Sequence, residues 1–284
     1  MEVAGGLVLI GIGAKILVEH LIKHHEIFES SGTIWFAFGL TLAAGLATGI
    51  GSLIALFSRQ TAKRRFSFFL GISTGLLLWI AFRQMIPIAE ADLGGQLIPA
   101  IGFFAGLLIT ALIDRLVPDF GNPHEPLRME DLKEAPDFRR TGMPAALAII
   151  AHSFPEGLAI FICALHAPAP IAIGAAIALA LHNIPEGVAT ALPMYHATGS
   201  RTKACGFSSL TGLAEPLAAL LAYTLFHRFM SGAALGVLTA GGAGVMVFIA
   251  LDGLLPAART YGKYHHAIVG VLLGMLAAAA LSML

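Results

Sequence analysis

Apolar runs of about twenty residues recur from one end of this chain to the other, each long enough to cross a hydrocarbon core about 30 Å thick as a helix. In that solvent every backbone N–H and C=O must be satisfied inside the protein, which leaves only helices or a closed barrel. A barrel needs short segments of strict alternation, whereas these runs are unbroken blocks of Ala, Leu, Ile and Gly. The chain is therefore expected to be an all-α polytopic membrane protein. Composition agrees: 57% of the 284 residues are hydrophobic and only 12% are charged, about half the share usual in globular domains.

Nine spans follow in order, at 3–22, 33–57, 66–88, 97–117, 143–166, 170–196, 203–228, 231–258 and 265–284. The first is short, Gly-rich and interrupted by Lys15, and no basic segment precedes it, so it reads as an extra N-terminal helix rather than a removed signal peptide. Residues 1–284 are read as a single transmembrane domain: 33–117 hold spans two to four, 118–142 a polar cytosolic loop, and 143–284 spans five to nine. Alternating the sides gathers Arg59, Lys63, Arg64, Arg65, the loop cations, Arg201, Lys203, Arg259 and Lys263 on one face. The other keeps only Lys23 and Arg228 as loop cations. The basic face is expected to be cytoplasmic, with the N-terminus inside and the C-terminus outside. A formal net charge of zero leaves no footprint for nucleic acid. Cys163 and Cys205 lack metal-type spacing and are expected to be small core residues.

Inside the apolar runs stands a repeat. His152-Ser153-Phe154-Pro155-Glu156-Gly157 is followed thirty residues later by His182-Asn183-Ile184-Pro185-Glu186-Gly187. An ionisable side chain at membrane depth costs at least a few kcal/mol and persists mainly where it has a partner or a function. His and Glu four residues apart share one helical face, so both can reach one cation. The proline between them frees the carbonyl four residues back, that of Ala151 or Leu181, and is expected to bend each helix. A third run offers Glu215-Pro216. Counted from the turns near Pro168 and Ser200, His152, Glu156, His182, Glu186 and Glu215 lie at one depth near the bilayer centre. Three carboxylates at that depth call for cations, and imidazole with carboxylate suits Zn, Fe, Ni or Mn better than Ca or Mg. Without a thiolate, the site is one that can release its metal.

The paired motif, the third Glu-Pro, the long loop ahead of the motif and the order of spans resemble the ZIP (zinc/iron-regulated transporter-like) family in its bacterial branch, over about residues 33–284. The resemblance implies an eight-helix bundle in the bacterial cytoplasmic (inner) membrane, commonly a homodimer. It implies import of Zn, and often Fe, Mn, Co or Cd, into the cytoplasm, with movement of the site-bearing helices. His152, Glu156, His182 and Glu186 then match a first metal site. Ser153, Asn183 and Glu215, with the two shared carboxylates, match a second. Two positions depart: Ser153 stands where bacterial relatives often carry Asn, which implies a weaker or water-bridged second site, and Leu77 where some relatives place a Met ligand.

Gln84, Glu90 and Asp252 are expected along the pathway, Glu90 as an entrance carboxylate and Asp252 as a buried residue that lines the path or pairs with Arg83. His20 at the end of the first span and His24 and His25 just after it form an interfacial cluster, and His124 is a lone loop histidine. The expected function is a divalent transition-metal transporter with no catalytic cofactor, its partners being the metal ion and the bilayer. The alternative is an intramembrane metal-dependent hydrolase, against which stands the lack of H-E-x-x-H. A metal sensor would need a signalling domain for which the 118–142 loop is too short.

Overall fold

The computed structural model describes residues 31–57, 63–116, 138–226, 232–261 and 264–283. Regular structure among them is entirely helical and falls into eight helices: α1 (Ser31–Phe57), α2 (63–93), α3 (Leu97–Leu116), α4 (Phe138–His166), α5 (Ala169–Thr198), α6 (201–226), α7 (232–261) and α8 (Tyr264–Leu281). These match the second to ninth expected spans to within a few residues at most ends. The main differences are that α4 starts at Phe138, inside the stretch expected to be loop, and that α2 continues to Leu93. The expected first span, His20, His24, His25 and His124 lie outside the described residues. Among the described residues, six helical stretches are long and apolar enough to cross a membrane, and Ser153–His166 and His265–Leu281 are shorter apolar helices. The outward face of α3 carries Leu97, Ile101, Phe104, Leu108 and Leu112, all exposed, as a lipid-facing helix requires.

Helix ends follow from local chemistry. Gly94 and Gly199 adopt left-handed backbone (φ 65° and 64°) to close α2 and α5, a conformation that costs glycine least. The Ser200 hydroxyl accepts from the Lys203 N–H to open α6. Within α2 and α7 the backbone widens into π turns at Ala81–Met85 and Ile249–Leu254, just ahead of Pro87 and Pro256. A proline ring crowds the carbonyl four residues back, here those of Arg83 and Asp252, and the wider turn makes room for it. One placement corrects an expectation. Asp252 is exposed rather than buried, because a place inside an apolar span does not fix which side of the helix a residue faces. Arg83 is exposed as well, with its guanidinium 6.0 Å from the Trp79 ring centroid.

The three motif prolines act unequally. Helices α4 and α5 stay continuous through Pro155 and Pro185, while α6 is interrupted at Leu213, between Arg201–Gly212 and Ala214–Phe226. Glu215 therefore sits in the first turn of a new helical segment.

Packing divides the helices into two groups. In α1, α4, α5 and α6 every helix touches every other, with α1 against α5 the densest pair. Around this bundle α2 pairs with α8 and α7 with α3, and α2 packs on α7. The two groups meet along a seam where α7 lies on α4 and α2 on α5. That seam holds the largest apolar cluster, including Ile80, Met85, Ile160, Cys163, Leu179 and Met246. Leu77 belongs to this core, in keeping with an apolar packing role. Glycines let backbones approach: Gly45 faces the Gly212 carbonyl, and Gly244 faces that of Phe103.

Candidate metal centre

All the motif residues lie on the α1/α4/α5/α6 bundle. Helix α4 supplies His152, Ser153 and Glu156, α5 supplies His182, Asn183 and Glu186, and α6 supplies Glu215. Ser153, Glu156, His182, Asn183, Glu186 and Glu215 are each at most 4% exposed. The His152 side chain lies outside the described residues.

The contacts run between helices rather than within each motif. His182 Nε2 is 3.2 Å from Glu156 Oε1, so the imidazole of one copy meets the carboxylate of the other. The Ser153 hydroxyl donates to Glu186 Oε1 at 2.8 Å, pairing the two copies in the reverse sense. Asn183 Nδ2 donates both to Glu215 Oε1 and, at 2.7 Å, to the Ala44 carbonyl of α1. Each of the three carboxylates is thus held by a polar group from another helix, which fixes its direction and offsets part of the cost of burying it.

What remains open is oxygen. Asn183 Oδ1, Glu215 Oε2 and the Thr48 hydroxyl of α1 are buried and have no hydrogen-bond partner among the described residues. Buried polar atoms are nearly always satisfied, and acceptor oxygens beside a carboxylate are what a cation satisfies. Among the described residues, which exclude the His152 side chain, no three His, Cys, Asp or Glu side chains stand together at ligand spacing. Donors instead come as pairs, Glu156 with His182 and Asn183 with Glu215.

Two glycines explain how the helices come this close. A Cβ on Gly157 would strike the Glu215 backbone, and one on Gly187 would strike the Thr48 carbonyl, with the Ser52 nitrogen 3.0 Å away. The glycine after each motif glutamate is therefore the contact that brings its helix against the next.

Sequence reasoning missed α1. Its Ala44 carbonyl accepts from Asn183, yet Ala carries no metal-ligand signature, and only the neighbouring Gly45 and Gly49 mark this stretch as a close-packing surface. It also missed a hydroxyl pair one turn beyond the site on α5, where Thr190 and Ser208 oxygens lie 2.6 Å apart and Thr190 donates back to the Glu186 carbonyl. Gln84 and Glu90 are half-buried on α2 and Asp252 is exposed on α7, so all three lie on the other helix group.

This arrangement has relatives. A family model described as "ZIP Zinc transporter" matches residues 122–282. A zinc transporter ZupT of Clostridium perfringens is 43% identical over 275 residues, covering 88% of this chain and 96% of the relative. Zinc transporters ZupT of Corynebacterium glutamicum and Streptococcus mutans are 48% and 47% identical, covering 88% and 86% of this chain and 98% and 95% of theirs. The chain belongs to the ZIP family. As a member it is a multi-pass membrane protein and a divalent-metal transporter, not an enzyme, and the hydrolase alternative finds no support among these relatives.

Proposed function

We propose that this ZIP protein imports zinc into the cytoplasm across a bacterial inner membrane, by way of the buried donors shared among α4, α5 and α6. The observation that carries this reading is the meeting of Ser153, Glu156, His182, Asn183, Glu186 and Glu215 in one water-excluded layer, with buried acceptor oxygens left over. Glu156 and His182, joined by His152, form the first half of the site, with Glu186 shared. Glu215 and Asn183 form the second, and Ser153 acts by holding Glu186 as much as by touching metal. Glu90 and Gln84 serve the approach from outside, and Asp252, exposed near the other end of its helix, serves the exit. The chain works as one transmembrane unit, with 3–22 as an added span, 118–137 as a cytosolic loop, the N-terminus inside and the C-terminus outside. Homodimers are the expected assembly. Iron, manganese, cobalt and cadmium are the expected secondary substrates, because mixed nitrogen and oxygen donors accept them too.

Zinc uptake by proteoliposomes tests the reading. Flux should saturate with zinc, and the half-saturating concentration should fall as the pH rises from about 6 to about 8, because imidazole and carboxylate bind metal only when deprotonated. Flux independent of pH over that range would count against these ligands. Ser153→Ala should raise the half-saturating zinc concentration by about 10-fold, the usual loss when a group that orients a metal ligand is removed. An unchanged value would show that Glu186 needs no such support.

A further inference from the structure

We propose that Asp92, His166 and Thr239 form a latch that clamps the metal-carrying bundle to the surrounding helices at one rim, and that its opening admits zinc to the buried site. The proposal rests on the transport reading above, and goes beyond it by assigning a gating role to three residues outside the metal centre.

His166 is the last residue of α4, where the chain turns through Ala167 and Pro168 into α5. Its ring uses both nitrogens across the seam. Nε2 lies 2.8 Å from Asp92 Oδ2 in the last turn of α2, and Nδ1 lies 2.9 Å from the Thr239 hydroxyl of α7. Asp92 and Thr239 belong to the helices that wrap the bundle, and His166 belongs to the bundle itself. One side chain therefore ties α4 to both α2 and α7 at the same end. A carboxylate oxygen only accepts, so Nε2 carries the proton and donates to Asp92, while Nδ1 accepts from the Thr239 hydroxyl.

Position gives the contact its role. His166 is ten residues from Glu156 on the same helix, about 15 Å at a rise of 1.5 Å per residue. The metal donors are closed off from solvent, whereas Asp92 and His166 are 27% and 16% exposed at the rim. Between the two levels the seam is apolar and tightly filled: a Cβ on Gly242 of α7 would come within 3.0 Å of the Met85 terminal methyl and 3.5 Å of Ala159 Cα. Cys163, one turn below His166, is fully buried in that filling. For zinc to pass from this rim to Glu156, α4 has to part from α2 and α7. Across the seam at this end, His166 supplies polar ties from α4 to both α2 and α7.

Cys163 is a built-in reporter of that parting. In a Cys205→Ser background in lipid nanodiscs without zinc, Cys163 should react slowly with a membrane-impermeant maleimide, and His166→Ala should speed the reaction about 5-fold. If the same opening admits zinc, the half-saturating zinc concentration for flux should fall by a similar factor, since apparent affinity scales with the fraction of competent protein. Asp92→Asn and Thr239→Val cut the same ties from the other side and should act in the same direction. His166→Gln keeps a donor near the Nε2 position and should move back toward the wild type. Unchanged labelling in variants that remain monodisperse overturns the latch. So does faster labelling with an unchanged or higher half-saturating concentration, the pattern of a helix end that has merely frayed. Labelling needs no transport, so faster labelling in a protein whose wild type moves no zinc would sink the transport reading and leave the latch standing.

Discussion

Glu186→Ala should lower saturable zinc flux in proteoliposomes by more than about 100-fold at matched reconstitution. Loss of a group that merely orients a metal ligand already costs about 10- to 100-fold in affinity, and Glu186 is expected to be a ligand shared by both halves of the site. Its removal also breaks the hydrogen bond from the Ser153 hydroxyl inside the bundle, a further cost of about 1.5–3 kcal/mol for a bond to a charged group. Glu186→Gln separates the two effects. An amide oxygen can still accept from Ser153, so the fold keeps its hydrogen bond while the site loses a negative charge. The Gln variant should therefore match the Ala variant in flux and exceed it in thermal stability. Flux within about 3-fold of the wild type in either variant would remove Glu186 from the transport path.

Much of this was legible in the sequence because the membrane makes two patterns unambiguous. A run of about twenty apolar residues has few alternatives to a spanning helix, and eight of the expected spans match described helices. Ionisable residues in such runs stand out in the same way, so the His-x3-Glu repeats and Glu215 could be named and placed at one level before any contact was known. Less legible was which side chain meets which. His182 reaches the glutamate of the other motif copy rather than its own, and Ser153 reaches Glu186, because helix rotation follows from packing that motif spacing does not encode, such as Gly157 of α4 against α6 and Gly187 of α5 against α1. Backbone donors carry no residue signature, so the Ala44 carbonyl was invisible. Asp252 was misplaced for a different reason, since a position inside an apolar span does not tell which side of the helix faces outward. The His166 latch escaped notice because its three members lie far apart in sequence and none belongs to a motif.

Gly157→Ala and Gly187→Ala should each destabilise the protein and abolish most of its flux, although each adds a single methyl group. Helix propensity alone would favour alanine by about 1 kcal/mol. What opposes it is the identity of the obstacle: the new Cβ would meet the Glu215 backbone in one case and the Thr48 carbonyl in the other. A flexible side chain could swing aside, but a helix backbone has to move as a unit, and overpacking of this kind costs about 1–3 kcal/mol or more. The balance is a net loss of about 1–2 kcal/mol, seen as a drop of about 3–8 °C in Tm. Flux should fall further than stability, by at least about 10-fold, because pushing α4 from α6 carries Glu156 away from Glu215, and pushing α5 from α1 displaces Glu186 and Asn183. Gly206→Ala provides the control, since Gly206 also lies within a helix but has nothing within 4 Å of its would-be Cβ. There the propensity gain stands alone, and Tm should hold or rise with flux unchanged. If Gly157→Ala and Gly187→Ala instead behaved like Gly206→Ala, the spacing of these helices would not be what sets the metal centre.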